Sequence, residues 1–335
     1  MSGTMNAAWH LVRRPEGLVK EGDLEWRESE LPALGDAEIR VRQELLSLDP
    51  TNRVWMNDAD SYLPRLPLGA VMRGIGIGTV EASNVPKYSP GDTVQGLLGW
   101  QKFYQGPTEG MAKLPPVPLP LEAHFGLLGH IGLTAYFGLV EIGKAKEGET
   151  LVVSAAAGAV GSLVGQIGKI LGMRVVGIAG SDAKCAWLTR ELGFDAAINY
   201  KSADLNEALA RLCPKGVDVY FDNVGGRILE AVLRHINLHA RIVACGMISQ
   251  YNAQQPEPGP SNLGMIISQR ATIQGFIVLD YLSGAMEAGL KLIGWHMSGR
   301  LHYRVEFVDG LEKAPDALNR LFSGANQGKL LVRIQ

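Results

Sequence analysis

The 335-residue chain is predicted to fold as an α/β protein in two domains. A β-rich part carries both chain ends, and a doubly wound parallel sheet lies between them. Three observations predict this. Short apolar runs separated by turn signals fill residues 6–122. Strands and helical patterns alternate from about residue 126 to 299. A glycine turn follows the first strand of that alternation.

Taken in order, Ala7–Val12, Leu24–Glu28, Ile39–Leu48, Ile75–Ala82 and Thr93–Leu97 read as strands, with Pro-Glu-Gly (15–17) and Ser-Pro-Gly-Asp (89–92) as turns between them. The run Leu114-Pro-Pro-Val-Pro-Leu-Pro120 cannot sustain a helix or central strand, because proline lacks the backbone donor, and it marks the domain boundary. Beyond it, strands are expected at Leu151–Ser154, Val175–Ala179, Ala196–Asn199, Val217–Phe221, Arg241–Cys245 and Ile273–Val278. Helical patterns lie at Gly158–Leu171, Asp182–Leu192 and Arg227–Ile236, which together give a parallel sheet covered on both faces. Tyr303–Phe307, Leu311–Leu321 and Lys329–Ile334 read as strand, helix, strand and return to complete the first domain. The expected domains are therefore 1–125 with 300–335, and 126–299.

Leu151 to Gly180 organises the chain. An apolar run is followed by Ser154-Ala-Ala-Ala-Gly-Ala-Val-Gly161, a helical pattern and a second apolar run, about the thirty residues of a βαβ unit. Small residues let backbone N–H groups approach a pyrophosphate at a helix N-terminus. Ala156, Gly158 and Gly161 fall at the three fingerprint positions, with Ala159 and Val160 between the last two. A lone glycine pattern is weak, and the two flanking strands are what make it point to a dinucleotide.

Composition excludes several classes. An apolar fraction of 46% suits a globular protein, and a net charge of −2 without Lys or Arg clusters disfavours nucleic acid and anionic membranes. Cys185, Cys213 and Cys245 show no CxxC spacing, which suits a reducing compartment. Met1 to His10 lacks the pattern of a signal peptide, and the uncharged stretch Ala123–Val140 is polar enough, with His124, His130 and Thr134, to be a buried helix start. A cytoplasmic protein is expected.

The end of the second strand selects the cofactor. An acidic residue there would bond the ribose 2′-hydroxyl of NAD and repel a 2′-phosphate. Here Gly180 and Ser181 precede Asp182, with Lys184 one turn in, a set that suits phosphate and favours NADP. The plain alternative is a Ser181 N-cap, Asp182 on the helix dipole and a solvated Lys184. No histidine or cysteine spacing describes a zinc site, so no metal is expected. There is no GxSxG elbow, and a hydride-transfer site needs no nucleophile. It needs a group to stabilise charge appearing on oxygen. Tyr251, beyond the fifth strand and ahead of a Gly- and Pro-rich loop (252–264), either serves that role or packs the loop.

Several strings together resemble the zinc-independent medium-chain dehydrogenase/reductases, nearest the leukotriene/prostaglandin reductases, plant double-bond reductases and curcumin-reductase-like proteins. They are Gly-Leu-Thr-Ala-Tyr-Phe-Gly-Leu (132–139), Ala-Ala-Ala-Gly-Ala-Val-Gly-Ser (155–162), Gly-Ser-Asp-Ala-Lys (180–184), Asn199-Tyr200-Lys201, Phe-Asp-Asn-Val-Gly-Gly (221–226), Cys245-Gly246 to Tyr251-Asn252 and Asn326-Gln-Gly-Lys329. The resemblance covers nearly the whole chain. It implies a GroES-like β domain formed by both ends, a Rossmann domain between, and a homodimer. By position, Gly158 to Gly161 would hold the pyrophosphate, and Lys184 and Tyr200 the adenosine phosphate and ribose. Asn223, Cys245, Gly246 and Tyr251 would line the nicotinamide side. Phe276, Ile277 and Val278 would meet the carboxamide, and Asn326 would reach across from the other domain. Leu68-Gly69-Ala70-Val71 stands where zinc-bearing relatives place Gly-His-Glu.

Where many of these reductases read Asp-Pro-Tyr-Met-Arg, this chain has Asp49-Pro50-Thr51-Asn52-Arg53. The string departs at Thr51, where those reductases have a substrate-facing tyrosine, and at Asn52, where they have methionine; Asn52, Trp55, Tyr62 and Tyr251 become the candidate pocket residues. The resemblance implies NADPH-dependent reduction of the carbon–carbon double bond of an α,β-unsaturated ketone or aldehyde. A quinone or alcohol/ketone oxidoreductase, or a non-catalytic NADPH-binding sensor, are the alternatives.

Overall fold

The computed structural model describes residues 4–255 and 257–334. Residues 1–3, within the expected N-terminal stretch, and Pro256, within the loop expected after Asn252, lie outside them, as does Gln335. The chain runs β1 (Met5–Leu11), β2 (Leu24–Glu30), β3 (Ile39–Leu48), α1 (Pro50–Val54), β4 (Gly76–Ser83), β5 (Thr93–Gly96), β6 (Phe103–Gly106) and β7 (Ala112–Lys113). It continues with α2 (Ala123–Gly126), α3 (His130–Phe137), β8 (Thr150–Val153), α4 (Ala159–Ile170), β9 (Arg174–Ala179), α5 (Asp182–Arg190), β10 (Ala196–Asn199), α6 (Leu205–Leu212) and β11 (Val217–Asp222). Then follow α7 (Gly226–Leu233), β12 (Ile236–Ala244), α8 (Gly264–Ser268), β13 (Thr272–Gly275), α9 (Ala285–Met297), β14 (Val305–Asp309), α10 (Ala314–Ser323) and β15 (Lys329–Arg333).

Two compact units result. The first holds residues 4–119, Glu306–Ala325 and 330–334; the second holds Pro120–Val305 and Asn326–Lys329. In the first, a sheet of order β14-β15-β3-β4-β5-β7, with β6 also on β3, joins both chain ends. β15 pairs antiparallel with β3, Leu330 opposite Leu48. Leu46, Leu48, Leu311, Leu318, Leu330 and Val332 are all but fully buried in one core, which is why the C-terminal strand and helix return to the N-terminal sheet.

The second unit is a parallel sheet of order β10-β9-β8-β11-β12-β13. Counted from β8 this is 3-2-1-4-5-6, the doubly wound order, with its reversal between β8 and β11. Central strands of such a sheet are covered on both faces and read as continuous apolar runs. Leu151, Val152 and Val153 are at 0% exposure, and burying each such side chain stabilises by roughly 1.5–3 kcal/mol.

Two expected element ends need correction. The helix predicted through Ile236 ends at Leu233, and β12 starts at Ile236, five residues before Arg241. The Asn237 amide bonds the Lys215 carbonyl (2.8 Å) and the Asp218 carboxylate (2.7 Å), so a polar residue that reads as a helix end is instead held by neighbouring chain. β13 stops at Gly275, leaving Phe276 to Val278 beyond the strand. Asn326–Lys329, between α10 and the body of β15, groups with the second unit. Of the long apolar window Ala123–Ile142, 67% is buried. Gly138 packs there against Phe221 and Phe276, as part of the unit's core.

Candidate active site

The glycine turn is built by close approach. Ala156 N–H donates to the Ile178 carbonyl (3.0 Å), stitching the turn to β9, and Gly158 N–H donates to the Ala155 carbonyl (2.9 Å). Ala155 itself adopts a left-handed backbone (φ 46°), a conformation that costs a non-glycine residue about 1–3 kcal/mol and clusters at functional sites. A Cβ on Gly161 would lie 2.5 Å from the Ala155 carbonyl oxygen, so only glycine fits there. Ala159, Val160 and Gly161 form the first turn of α4, whose N–H groups have no intrahelical acceptor and point outward at the positive end of the helix dipole. This cradle fits a pyrophosphate.

The loop 326–329 lies against the cradle. Gly328 N–H donates to the Ala157 carbonyl (3.0 Å), and Gly158 and Gly328 form a parallel bridge. The Asn326 amide donates to the Gly328 carbonyl (3.1 Å). Asn326 is thereby placed beside the turn, within the same unit.

At the end of β9, Ser181 caps α5 by accepting from Lys184 N–H (3.3 Å), as its spacing suggests. The Asp182 carboxylate accepts from the Asn199 amide (2.8 Å) at the end of β10. A Cβ on Gly180 would meet the Tyr200 ring at 3.2 Å, the Tyr200 hydroxyl oxygen at 3.3 Å and Lys201 Cε at 3.4 Å. Gly180, Ser181, Tyr200 and Lys201 thus converge, with Lys184 on the first turn of α5. Lys201 is the residue that reading the second strand end alone misses. Its signal was its place in Asn199-Tyr200-Lys201.

The carboxyl ends of β11 and β12 hold the nicotinamide-side candidates. The Asn223 amide donates to the Ser154 carbonyl (2.7 Å). Cys245 and Gly246 N–H both donate to the Asp222 carbonyl (2.9 and 3.1 Å). Burial, and then Asp222, push the Cys245 thiol up to about 12, so it stays neutral and inert near pH 7. The Tyr251 hydroxyl accepts from Met247 N–H (3.0 Å), folding the side chain back over Gly246. Accepting that bond polarises the hydroxyl and makes its own O–H a better donor. Phe276 packs edge-on against Tyr281 (6.2 Å), and the backbone of Ile277 is extended ahead of the 3₁₀ turn that begins at Val278.

The first-unit candidates separate into buried and exposed. Asn52 is 1% exposed; its side chain accepts from Asp49 N–H (2.7 Å) and donates to the Arg73 carbonyl (3.4 Å). It fastens the start of α1 and presents no open face. Tyr62 is 44% exposed, bonds the Thr51 hydroxyl at 2.7 Å and meets buried Trp55 edge-on at 6.3 Å. Arg73 lies over the Trp55 ring at 5.8 Å, a cation–π contact. Tyr62 is the exposed group of this cluster, with Thr51 and Arg73 half-buried.

Residues 7–114 match the family described as N-terminal domain of oxidoreductase, and residues 159–295 the family described as zinc-binding dehydrogenase. The second description names a metal that the side chains do not fit: among the described residues no three His, Cys, Asp or Glu gather as a zinc site requires. The chain is 42% identical to the NADPH-dependent curcumin reductase of Escherichia coli (strain K12), covering 98% of this chain and 97% of that one. It is 42% identical to the 2-alkenal reductase (NADP(+)-dependent) of Nicotiana tabacum, covering 95% and 94%. The crystal structure of CurA from Vibrio vulnificus in complex with NADPH superposes with a TM-score of 0.93 at 42% identity, covering 98% of this chain and 99% of that one. Together with the doubly wound sheet and its glycine cradle, these likenesses show that the chain belongs to the medium-chain dehydrogenase/reductases, in the group of NADPH-dependent oxidoreductases that holds the curcumin, 2-alkenal and prostaglandin reductases.

Proposed function

We propose that the protein uses NADPH to reduce the carbon–carbon double bond of α,β-unsaturated ketones or aldehydes. Bound NADPH supplies the hydride, which the β carbon accepts. The chain's part is to hold the pyrophosphate at Gly158–Gly161 and the extra phosphate near Ser181, Lys184, Tyr200 and Lys201. Asn223, Cys245 and Gly246 orient the ribose and nicotinamide, with Phe276 to Val278 on the carboxamide side and Asn326 beside the cradle. The Tyr251 hydroxyl donates to the carbonyl oxygen as enolate charge forms there, and solvent protonates the α carbon. Tyr62 and Trp55 shape the substrate side, and buried Asn52 holds the start of α1.

The observation that carries the reading is likeness along nearly the full chain to relatives whose names specify a curcumin and a 2-alkenal substrate. The cofactor named for both relatives supports NADPH, as do Tyr200 and Lys201 packed beside Gly180 at the end of β9. A panel of enones, alkenals, quinones and simple ketones, with NADPH consumption followed by absorbance, tests it. Saturated ketone or aldehyde products from the enones are expected. Turnover confined to quinones or simple ketones would overturn the double-bond assignment.

We further propose a cytoplasmic homodimer joined along β13. All four β13 residues are exposed at the sheet edge, and Ile273 within it and Leu279, Leu282 and Met286 after it are 41–82% exposed. An unpaired strand edge followed by exposed apolar side chains needs covering, and a two-fold axis lets the same patch cover itself. Three unpaired cysteines suit a reducing compartment.

A further inference from the structure

Ligands of doubly wound sheets bind where the strand order reverses, here between β8 and β11. Asp222, the last residue of β11, is 3% exposed at that point. Its Oδ1 accepts from four donors: Ser154 Oγ (3.0 Å), Tyr220 Oη (2.7 Å), Val224 N–H (2.9 Å) and Gly225 N–H (2.9 Å). Its carbonyl oxygen takes the N–H groups of Cys245 and Gly246. Ser154 Oγ in turn accepts from Asn223 N–H (2.9 Å), and the Ser154 carbonyl from the Asn223 amide. One residue therefore ties together the carboxyl ends of β8, β11 and β12.

Capping the turn before α7 would need only the Val224 and Gly225 bonds. The carboxylate's additional bonds come from Tyr220 and from Ser154 Oγ, which itself accepts from Asn223 N–H. Asn223 is assigned to the nicotinamide half of the cofactor. Burying a carboxylate is costly unless its oxygens are well satisfied, and burial does hold the Asp222 carboxyl above the usual carboxylate range. That cost is borne where strand-end register matters to ligand contact.

We propose that Asp222 is a positioning residue, whose carboxylate, through Ser154 Oγ, holds Asn223 in the register that meets the ribose and nicotinamide of NADPH. This rests on the reading of the protein as an NADPH-dependent reductase. Asp222 makes no contact with substrate in this role; it acts through its neighbours.

The test compares binding of whole NADPH with binding of adenosine 2′,5′-bisphosphate, which lacks the nicotinamide half, by calorimetry on folded protein. Asp222→Ala should weaken NADPH about tenfold or more, the scale of a lost hydrogen bond to a charged group, with the bisphosphate nearly unchanged. Asp222→Asn should restore most of the NADPH affinity, because the amide oxygen can accept the same donors. Equal losses for both ligands, or an alanine variant that binds NADPH like the wild type, would overturn the proposal. Should the alanine variant fail to fold, Ser154→Ala takes its place: it keeps the carboxylate and the Asn223 amide bond to the residue-154 carbonyl, removes the Oγ bridge between Asp222 and Asn223 N–H, and should weaken NADPH selectively by about threefold to tenfold. Unchanged NADPH affinity in that variant would equally overturn it. A wild-type protein that binds no NADPH would sink the reductase reading and this proposal together; wild-type binding with indifferent variants sinks this proposal alone.

Discussion

The Asn199 side-chain amide donates to the Asp182 carboxylate across 2.8 Å, joining the ends of β10 and β9. Asp182 is the acidic residue nearest the point where dinucleotide folds choose between NAD and NADP. Past the strand end and bonded to Asn199, it lies in the first turn of α5, where its charge favours the helix N-terminus. Lys184→Ala should therefore raise KM for NADPH by about tenfold, the scale of one charge-assisted phosphate contact, while KM for NADH barely moves. Steady-state kinetics with both cofactors checks this, and an intact preference for NADPH would refute the phosphate assignment.

Tyr251 is held over Gly246 by Met247 N–H. Replacing it with phenylalanine keeps the ring and removes the donor. Turnover on an enone should then drop by roughly 10- to 100-fold, toward the loss seen when an oxyanion donor is deleted, with NADPH affinity little altered. A KM–kcat split measured beside direct cofactor binding separates the two effects. Undiminished turnover would leave Tyr251 as loop packing.

Gly161→Ala puts a methyl 2.5 Å from a backbone carbonyl that cannot swing aside. The cost should be about 1–3 kcal/mol, the usual range for overpacking, and the displaced turn should lose NADPH binding as well. Thermal unfolding and a cofactor titration on the same sample read both. Wild-type values for each would mean the turn is looser than its geometry.

The exposed β13 edge makes a further claim. Ile273→Lys places a charge in the middle of that edge, and sedimentation velocity should show a dimer in the wild type and a monomer in the variant. A dimer that survives the substitution would locate the interface elsewhere.

Much of this molecule was legible from local pattern. Alternation of apolar runs with helical periodicity depends on near neighbours in sequence, and so does the small-residue turn at Gly158–Gly161. That is why the parallel sheet and its cradle could be read without coordinates. Strand ends were less legible. Asn237 looks like a helix end until Lys215 and Asp218 arrive from elsewhere to bond it.

What the linear chain determined by itself is a doubly wound sheet with a nucleotide turn, flanked by β-rich ends, and a family resemblance along almost its whole length. What only the folded chain decided is which polar groups are already engaged: Asp182 by Asn199, Asn52 by Asp49 and Arg73, and Asp222 by donors up to 68 residues away along the chain. Hydrogen bonds of that kind are made between residues that meet only after the sheet closes. No periodicity announces them, yet they settle which side chains remain available to a ligand.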